Sequence, residues 1–151
     1  MSRCIAIDPG GKRTGLALGD GRSGLVSPLS VPPWAPNGVL KHGNDTERLE
    51  GLIRVLLREE PDVVVVGLPL NMDGTAGPAA AASQRLAEAL QARLKPKLPR
   101  SHVVLHDERL TSQTADQQMA RTGLTHKQKK ARRDALAAVA LLKDFLQQRP
   151  E

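Results

Sequence analysis

Asp8 stands where a short apolar run, Cys4-Ile5-Ala6-Ile7, gives way to the turn Asp8-Pro9-Gly10-Gly11-Lys12-Arg13. Packing explains such a carboxylate poorly: it ends a buried strand, beside two glycines and two cations. A metal ion with a phosphate next to it explains it well. Four other acids bear on the same chemistry: Asp73, Asp107, Glu108 and Asp134. Asp107 and Glu108 follow the apolar run Val103-Val104-Leu105, so with Asp8 they lie near the carboxyl ends of strands, where open α/β sheets place their sites. Side chains alternate along a strand, so Asp107 and Glu108 point to opposite faces and only one reaches Asp8. The other is expected to make a local ion pair, with Arg109 at hand. Asp134 is expected at the start of the last helix, on the same face as Ala138, Leu141 and Phe145. An acid there is either a helix cap or a metal ligand.

Clustered carboxylates raise one another's pKa, and a divalent cation removes that penalty. Oxygen-only ligands favour Mg²⁺ or Mn²⁺ over zinc. The histidines at 42, 102, 106 and 126 show no zinc-like spacing, and His106 reads as structural. Two ions about 4 Å apart can split a phosphodiester bond by in-line attack of water, with Asp8 as the natural bridge. No side-chain nucleophile is then required. Lys12, Arg13 and Arg109 are expected to hold phosphates near the metals; surface ion pairing is the plain alternative for each. In loop 71–77, Gly74 and Gly77 let backbone approach a substrate and Thr75 can bond a phosphate; the plain alternative is a strand-to-helix turn.

The net charge of +6 points the same way. Six cations fall between Arg121 and Arg133, and no acid intervenes before Asp134. Of these, Lys127, Lys129, Lys130, Arg132 and Arg133 would form an outer patch that binds nucleic-acid backbone with little sequence readout. A merely solvated loop is the alternative. Gly123 and the lack of an apolar face argue against a membrane-surface helix. The only aromatics are Trp34 and Phe145, so base-stacking platforms are not expected. No run of eighteen apolar residues suggests a membrane span. The single cysteine, Cys4, reads as a small buried residue, and the absence of a signal-peptide pattern suits the cytoplasm.

These residues need a scaffold, and the 151-residue chain reads as one domain. Segments 4–8, 14–19 and 24–31 read as strands of an antiparallel meander. Pro32, Pro33, Pro36, Gly38 and Gly43 make 32–44 a loop. A helical stripe follows over 45–60, capped by Asn44 with Glu47 and stopped by Pro61. The run Val63–Leu68 reads as a strand covered on both faces. Pro78 opens a helix to about Leu94, a fifth strand covers 103–107, and further helices are expected over 112–121 and about 134–148. The result is an α/β domain: one mixed five-stranded sheet with helices on both faces.

Four segments carry a family resemblance. They are Ile7-Asp8-Pro9-Gly10-Gly11-Lys12-Arg13-Thr14-Gly15, the run from Val66 to Thr75, Asp107-Glu108-Arg109-Leu110-Thr111-Ser112, and Asp134-Ala135-Leu136-Ala137-Ala138. In this order they resemble the YqgF family of RNase H-like proteins, also called RuvX or pre-16S ribosomal RNA nucleases. The resemblance implies an RNase H-like fold with sheet order 3-2-1-4-5 and metal-dependent cleavage of RNA or DNA. It puts Asp8, Glu108 and Asp134 at the positions of the catalytic acids, with Asp107 as the alternative to Glu108. Arg133 departs from the family, where an apolar residue is common, and the basic segment is heavier than usual. Within this reading, processing of pre-16S rRNA in ribosome biogenesis is favoured. A four-way DNA junction is the alternative and would call for a homodimer. The rival classes are a non-catalytic RNA-binding module and a nucleotide-binding ATPase, which would need a second such domain.

Overall fold

The computed structural model describes residues 2–109 and 126–148, with the backbone alone over 126–132. Strand β1 (Arg3–Asp8) pairs antiparallel with β2 (Arg13–Asp20), which sets Asp8 opposite Gly15. On its other side β1 runs parallel to β5 (Val63–Leu68), and β5 parallel to β6 (His102–Asp107). The outer side of β2 carries two short strands. β3 (Val26–Pro28) pairs with Ala17–Gly19, and β4 (Val39–Lys41) pairs with Arg13–Gly15. The order is β3-β2-β1-β5-β6 with β4 also on β2. This is the expected order, with the third position divided between two pieces.

That division corrects two expectations. The strand expected over 24–31 is only three residues long, and the loop expected over 32–44 contains β4. Val39 and Leu40 are buried, and they pair with residues more than twenty positions earlier. Local turn chemistry carries no trace of such a partner. Trp34, in the same connection, packs against the core, with Arg54 and Arg58 stacked 5.2 and 5.9 Å from its ring centroid.

Helices α1 (Asp45–Glu59) and α2 (Pro78–Leu94) cover one face of the sheet. The α1 start follows its sequence signal. The Glu47 N–H donates to the Asn44 side chain at 2.8 Å, and the Gly43 N–H donates to the Glu47 carboxylate at 2.7 Å. Ile5, Ile7, Leu16, Val64 and Val66 pack there against Leu52, Leu56, Leu90 and Leu94.

Helix α3 (His126–Gln148) covers the opposite face, where Cys4, Ala6, Ala17 and Val65 meet Ala138, Leu141 and Leu142. The sheet residues on this side are small, so the helix comes close. At Gly15 an added Cβ would lie 1.8 Å from the backbone oxygen of Asp134. The helix begins at His126 rather than near 134. The Lys-, Gln-, Arg- and Ala-rich turns before Asp134 are good helix formers without an apolar stripe. Asp134 is therefore inside a helix, and the capping explanation for it fails. The helix expected over 112–121 lies outside the described residues. Among the described residues, no helix is long and apolar enough to cross a membrane.

Candidate active site

Strand phase decides which acids meet. Cys4 and Ala6 belong to the α3 side of β1, so alternation carries Asp8 to that side as well. On β5, Val63 and Val65 face α3, and Gly67 follows in phase. The Glu108 N–H donates to the Leu68 carbonyl at 3.1 Å, which prolongs the pairing one residue beyond β6. Its carboxylate then lies over Gly67, where an added Cβ would be 2.2 Å from Oε2. The Asp8 and Glu108 side chains are hydrogen-bonded to each other, and the Asp134 charge acts on Asp8 from α3. All three acids are half-buried.

Burial first, then the Glu108 charge and hydrogen bond, hold the Asp8 pKa well above its ordinary 3.8. Burial also raises Glu108 above 4.5, while its hydrogen bond with Asp8 opposes that rise. Asp134 is raised by burial and pulled back by Arg13 and Arg133. Each acid thus holds its proton more tightly folded than unfolded. Their contribution to stability is complete below the ordinary values and is lost as pH rises through the raised ones. In EDTA the melting temperature should therefore fall as pH climbs from about 4 toward neutrality. The slope should be shallower in Asp8→Asn. Matching pH profiles for the two proteins would show that the Asp8 titration does not drive the loss.

Asp107 takes the other phase and the other role. It accepts from the Arg109 backbone N–H at 2.9 Å and from Nε at 2.8 Å, with a further guanidinium nitrogen at 2.7 Å. The hydrogen bond from Arg109 keeps its pKa low. Arg109 also donates to the Met72 carbonyl at 3.3 Å, so it clasps loop 71–77 instead of presenting an open guanidinium to phosphate. Within that exposed loop, the Thr75 hydroxyl donates to Asp73 at 2.6 Å and accepts from the Asn71 amide at 2.9 Å. The hydroxyl expected to meet a phosphate is already engaged. Gly74 forms the tip of the loop, its N–H donating to the Asn71 carbonyl at 2.8 Å.

Other residues behind the first turn were missed from sequence. Buried Arg48 on α1 donates to the Gly10 carbonyl at 3.1 Å, and buried Thr14 pairs with His42 at 2.8 Å. Together they fix the turn that follows Asp8. A signal existed: Arg48 lies one turn before Leu52 on the apolar stripe, an odd place for a cation. His106 is structural, bonded to Asp144 at 2.7 Å and set edge-on to Phe145.

Lys12 is exposed at the turn, and Arg13 points inward, its Nε 3.1 Å from Asp134 Oδ2. The contact is an ion pair without hydrogen-bond alignment, and Oδ2 is buried with no hydrogen-bond partner. Arg133 is exposed on α3. Lys127, Lys129, Lys130 and Arg132 lie on its first turns, and their side chains are outside the description.

The donor set suits a hard divalent cation. It offers only carboxylate oxygens, one of them buried without a partner, and Gly67 leaves room for Glu108. Among the described residues, no three ligating side chains stand ready as an assembled cage. Asp134 meets Arg13 instead.

The chain is similar to known proteins over nearly its whole length. The family described as "RuvX: Holliday junction resolvase" matches residues 2–148. A protein from Opitutus terrae, named "Putative pre-16S rRNA nuclease", is 38% identical over 97% of this chain and 92% of its own length. One of the same name from Listeria monocytogenes is 38% identical over 95% of this chain and 96% of its own. Among solved structures, Thermus thermophilus RuvC in complex with a Holliday junction substrate aligns with a TM-score of 0.54 at 17% identity, covering 95% and 93% of the two chains. That likeness shows a shared RNase H-like fold. Sequence identity over nearly the whole length goes further: this chain belongs to the RuvX family.

Proposed function

We propose that this protein is a divalent-metal-dependent nuclease that hydrolyses phosphodiester bonds in pre-16S rRNA at its 5′ end, working as one domain in the cytoplasm. The observation that carries the reading is the hydrogen-bonded pair of Asp8 and Glu108 at the carboxyl ends of β1 and β6, with the charge of Asp134 acting on Asp8 from α3. The names of the relatives support the substrate.

Asp8, Glu108 and Asp134 would hold Mg²⁺ or Mn²⁺, with room in their chemistry for two ions. When bound, such ions supply Lewis-acid polarisation of the phosphate and activation of a water. Lys12 and Arg133 hold substrate phosphates at the rim. Arg109, paired with Asp107, holds loop 71–77 through the Met72 carbonyl, and the Gly74 and Gly77 backbone would approach the substrate there. Lys127, Lys129, Lys130 and Arg132 guide the nucleic-acid backbone from α3. The neighbouring RuvC structure, with its junction substrate, favours one second reading: a four-way DNA junction, cut in pairs by a homodimer.

A cleavage assay tests the proposal. The protein would meet labelled precursor RNA, single-stranded DNA and a four-way junction with Mg²⁺, Mn²⁺ or EDTA. Metal-dependent product from RNA is expected. Paired cuts in the junction alone would move the assignment to the second reading, and no product with any metal would overturn the nuclease. Neutralising Lys127, Lys129 and Lys130 together should weaken RNA binding for every sequence. The slope of log affinity against log salt should fall by roughly 0.7 for each phosphate that the variant no longer neutralises. An unchanged slope would remove these lysines from the interface.

A further inference from the structure

The third carboxylate is already neutralised by a residue of the chain. Arg13 Nε lies 3.1 Å from Asp134 Oδ2, where a metal ligand would offer its oxygen. That oxygen is otherwise buried and without a hydrogen bond. Two carboxylates, Asp8 and Glu108, stay bonded to each other, and the third is held by a cation.

The backbone around Arg13 is held in place, and its side chain reaches open solvent. Arg13 pairs with Lys41 in the β2–β4 ladder, and the preceding turn is held by Arg48 through the Gly10 carbonyl. The Arg13 side chain itself is 34% exposed, so it has open space to turn into. A guanidinium binds phosphate through two parallel hydrogen bonds. Its contact with Asp134 lacks hydrogen-bond alignment. A phosphodiester at the rim therefore offers Arg13 the better partner.

We infer that Arg13 is a positioning residue that stands in for a metal ion at Asp134, and that its transfer to a substrate phosphate couples nucleic-acid binding to metal loading. The inference rests on the nuclease reading and names an order of events within it. Without nucleic acid, Arg13 competes with the cation for Asp134. With nucleic acid bound, Arg13 turns outward and Asp134 becomes free to complete the site. Coupling is reciprocal, so metal should tighten nucleic-acid binding by the same factor.

The test is calorimetric titration of Mn²⁺ into wild-type protein, Arg13→Gln, Arg13→Lys, Lys41→Gln and Asp8→Asn, with and without excess RNA oligonucleotide. Circular dichroism would confirm folding. Arg13→Gln should bind Mn²⁺ roughly tenfold more tightly than wild type without RNA, a factor typical of coupling between sites. Arg13→Lys should fall between the two. Lys41→Gln removes the same charge from an exposed neighbour across the ladder and should change affinity much less. RNA should tighten Mn²⁺ binding in wild type and lose that effect in Arg13→Gln. Equal affinity in wild type and Arg13→Gln would overturn the coupling while leaving the metal site intact, as would an equal gain in Lys41→Gln. Binding that is absent from every protein, or unchanged in Asp8→Asn, would overturn the metal reading itself and the coupling with it.

Discussion

Asp8→Asn should abolish metal-dependent cleavage and leave the fold intact. The substitution keeps the size of the side chain and removes only its charge. Burial and the neighbouring Glu108 raise the Asp8 pKa, and the two side chains are hydrogen-bonded to each other. An amide can donate to Glu108 in much the same way, so the local packing has little reason to change. At neutral pH the variant also escapes repulsion from Glu108 and Asp134, and its melting temperature in EDTA should equal or exceed that of wild type. Cleavage should fall by at least about a thousandfold, because removing one preorganised electrostatic group from a catalytic site has effects of that order. Single-turnover cleavage with a parallel thermal melt checks both halves. Activity within about tenfold of wild type, a barrier change near 1.4 kcal/mol, would take Asp8 out of the mechanism.

Gly15→Ala should be the most damaging small change for stability. The new Cβ would lie 1.8 Å from the carbonyl oxygen of Asp134 and 2.4 Å from its carbonyl carbon. Both atoms are backbone inside α3, and Gly15 is locked on either side by β1 and β4. Neither partner can yield alone, so the helix must lift from the sheet along the Ala138–Leu142 contact. The contrast is Gly67, where the atom in the way is the mobile end of Glu108. Overpacking of this kind costs about 3 kcal/mol or more, a large share of the roughly 5–15 kcal/mol that holds a domain together. Urea denaturation should show a midpoint loss of that size, or no folded protein at all. A shift below about 0.5 kcal/mol, usual for an unconstrained surface site, would show that α3 does not approach β2 this closely.

Legibility from sequence followed the range of the interactions involved. The α2 boundaries, Pro78 and Leu94, and the β5 run Val63–Leu68 were readable because proline placement and apolar runs are local signals. The α1 start was readable from Asn44 and Glu47 for the same reason. β4 was not, because Val39 and Leu40 become strand only by pairing with Thr14 and Gly15. The early start of α3 was hidden because hydrophobic periodicity begins at Ala135, while the turns before it rest on helix propensity alone. At the site, alternation showed that Asp107 and Glu108 must part. It could not say which faced α3, since that depends on how β6 is phased against β5. The Arg13–Asp134 contact joins residues 121 positions apart and left no mark in the spacing.

The paired short strands on β2 bear on how copies of this chain can meet. A long bare strand at a sheet edge is a template for another chain and an invitation to aggregate. Here β3 and β4 each offer only three residues, and the connection between them interrupts the ladder. An incoming strand finds no continuous row of amides and carbonyls to extend. Self-association through a shared sheet is therefore discouraged at this edge, and a dimer joined strand to strand would have to use the six-residue β6 at the opposite one.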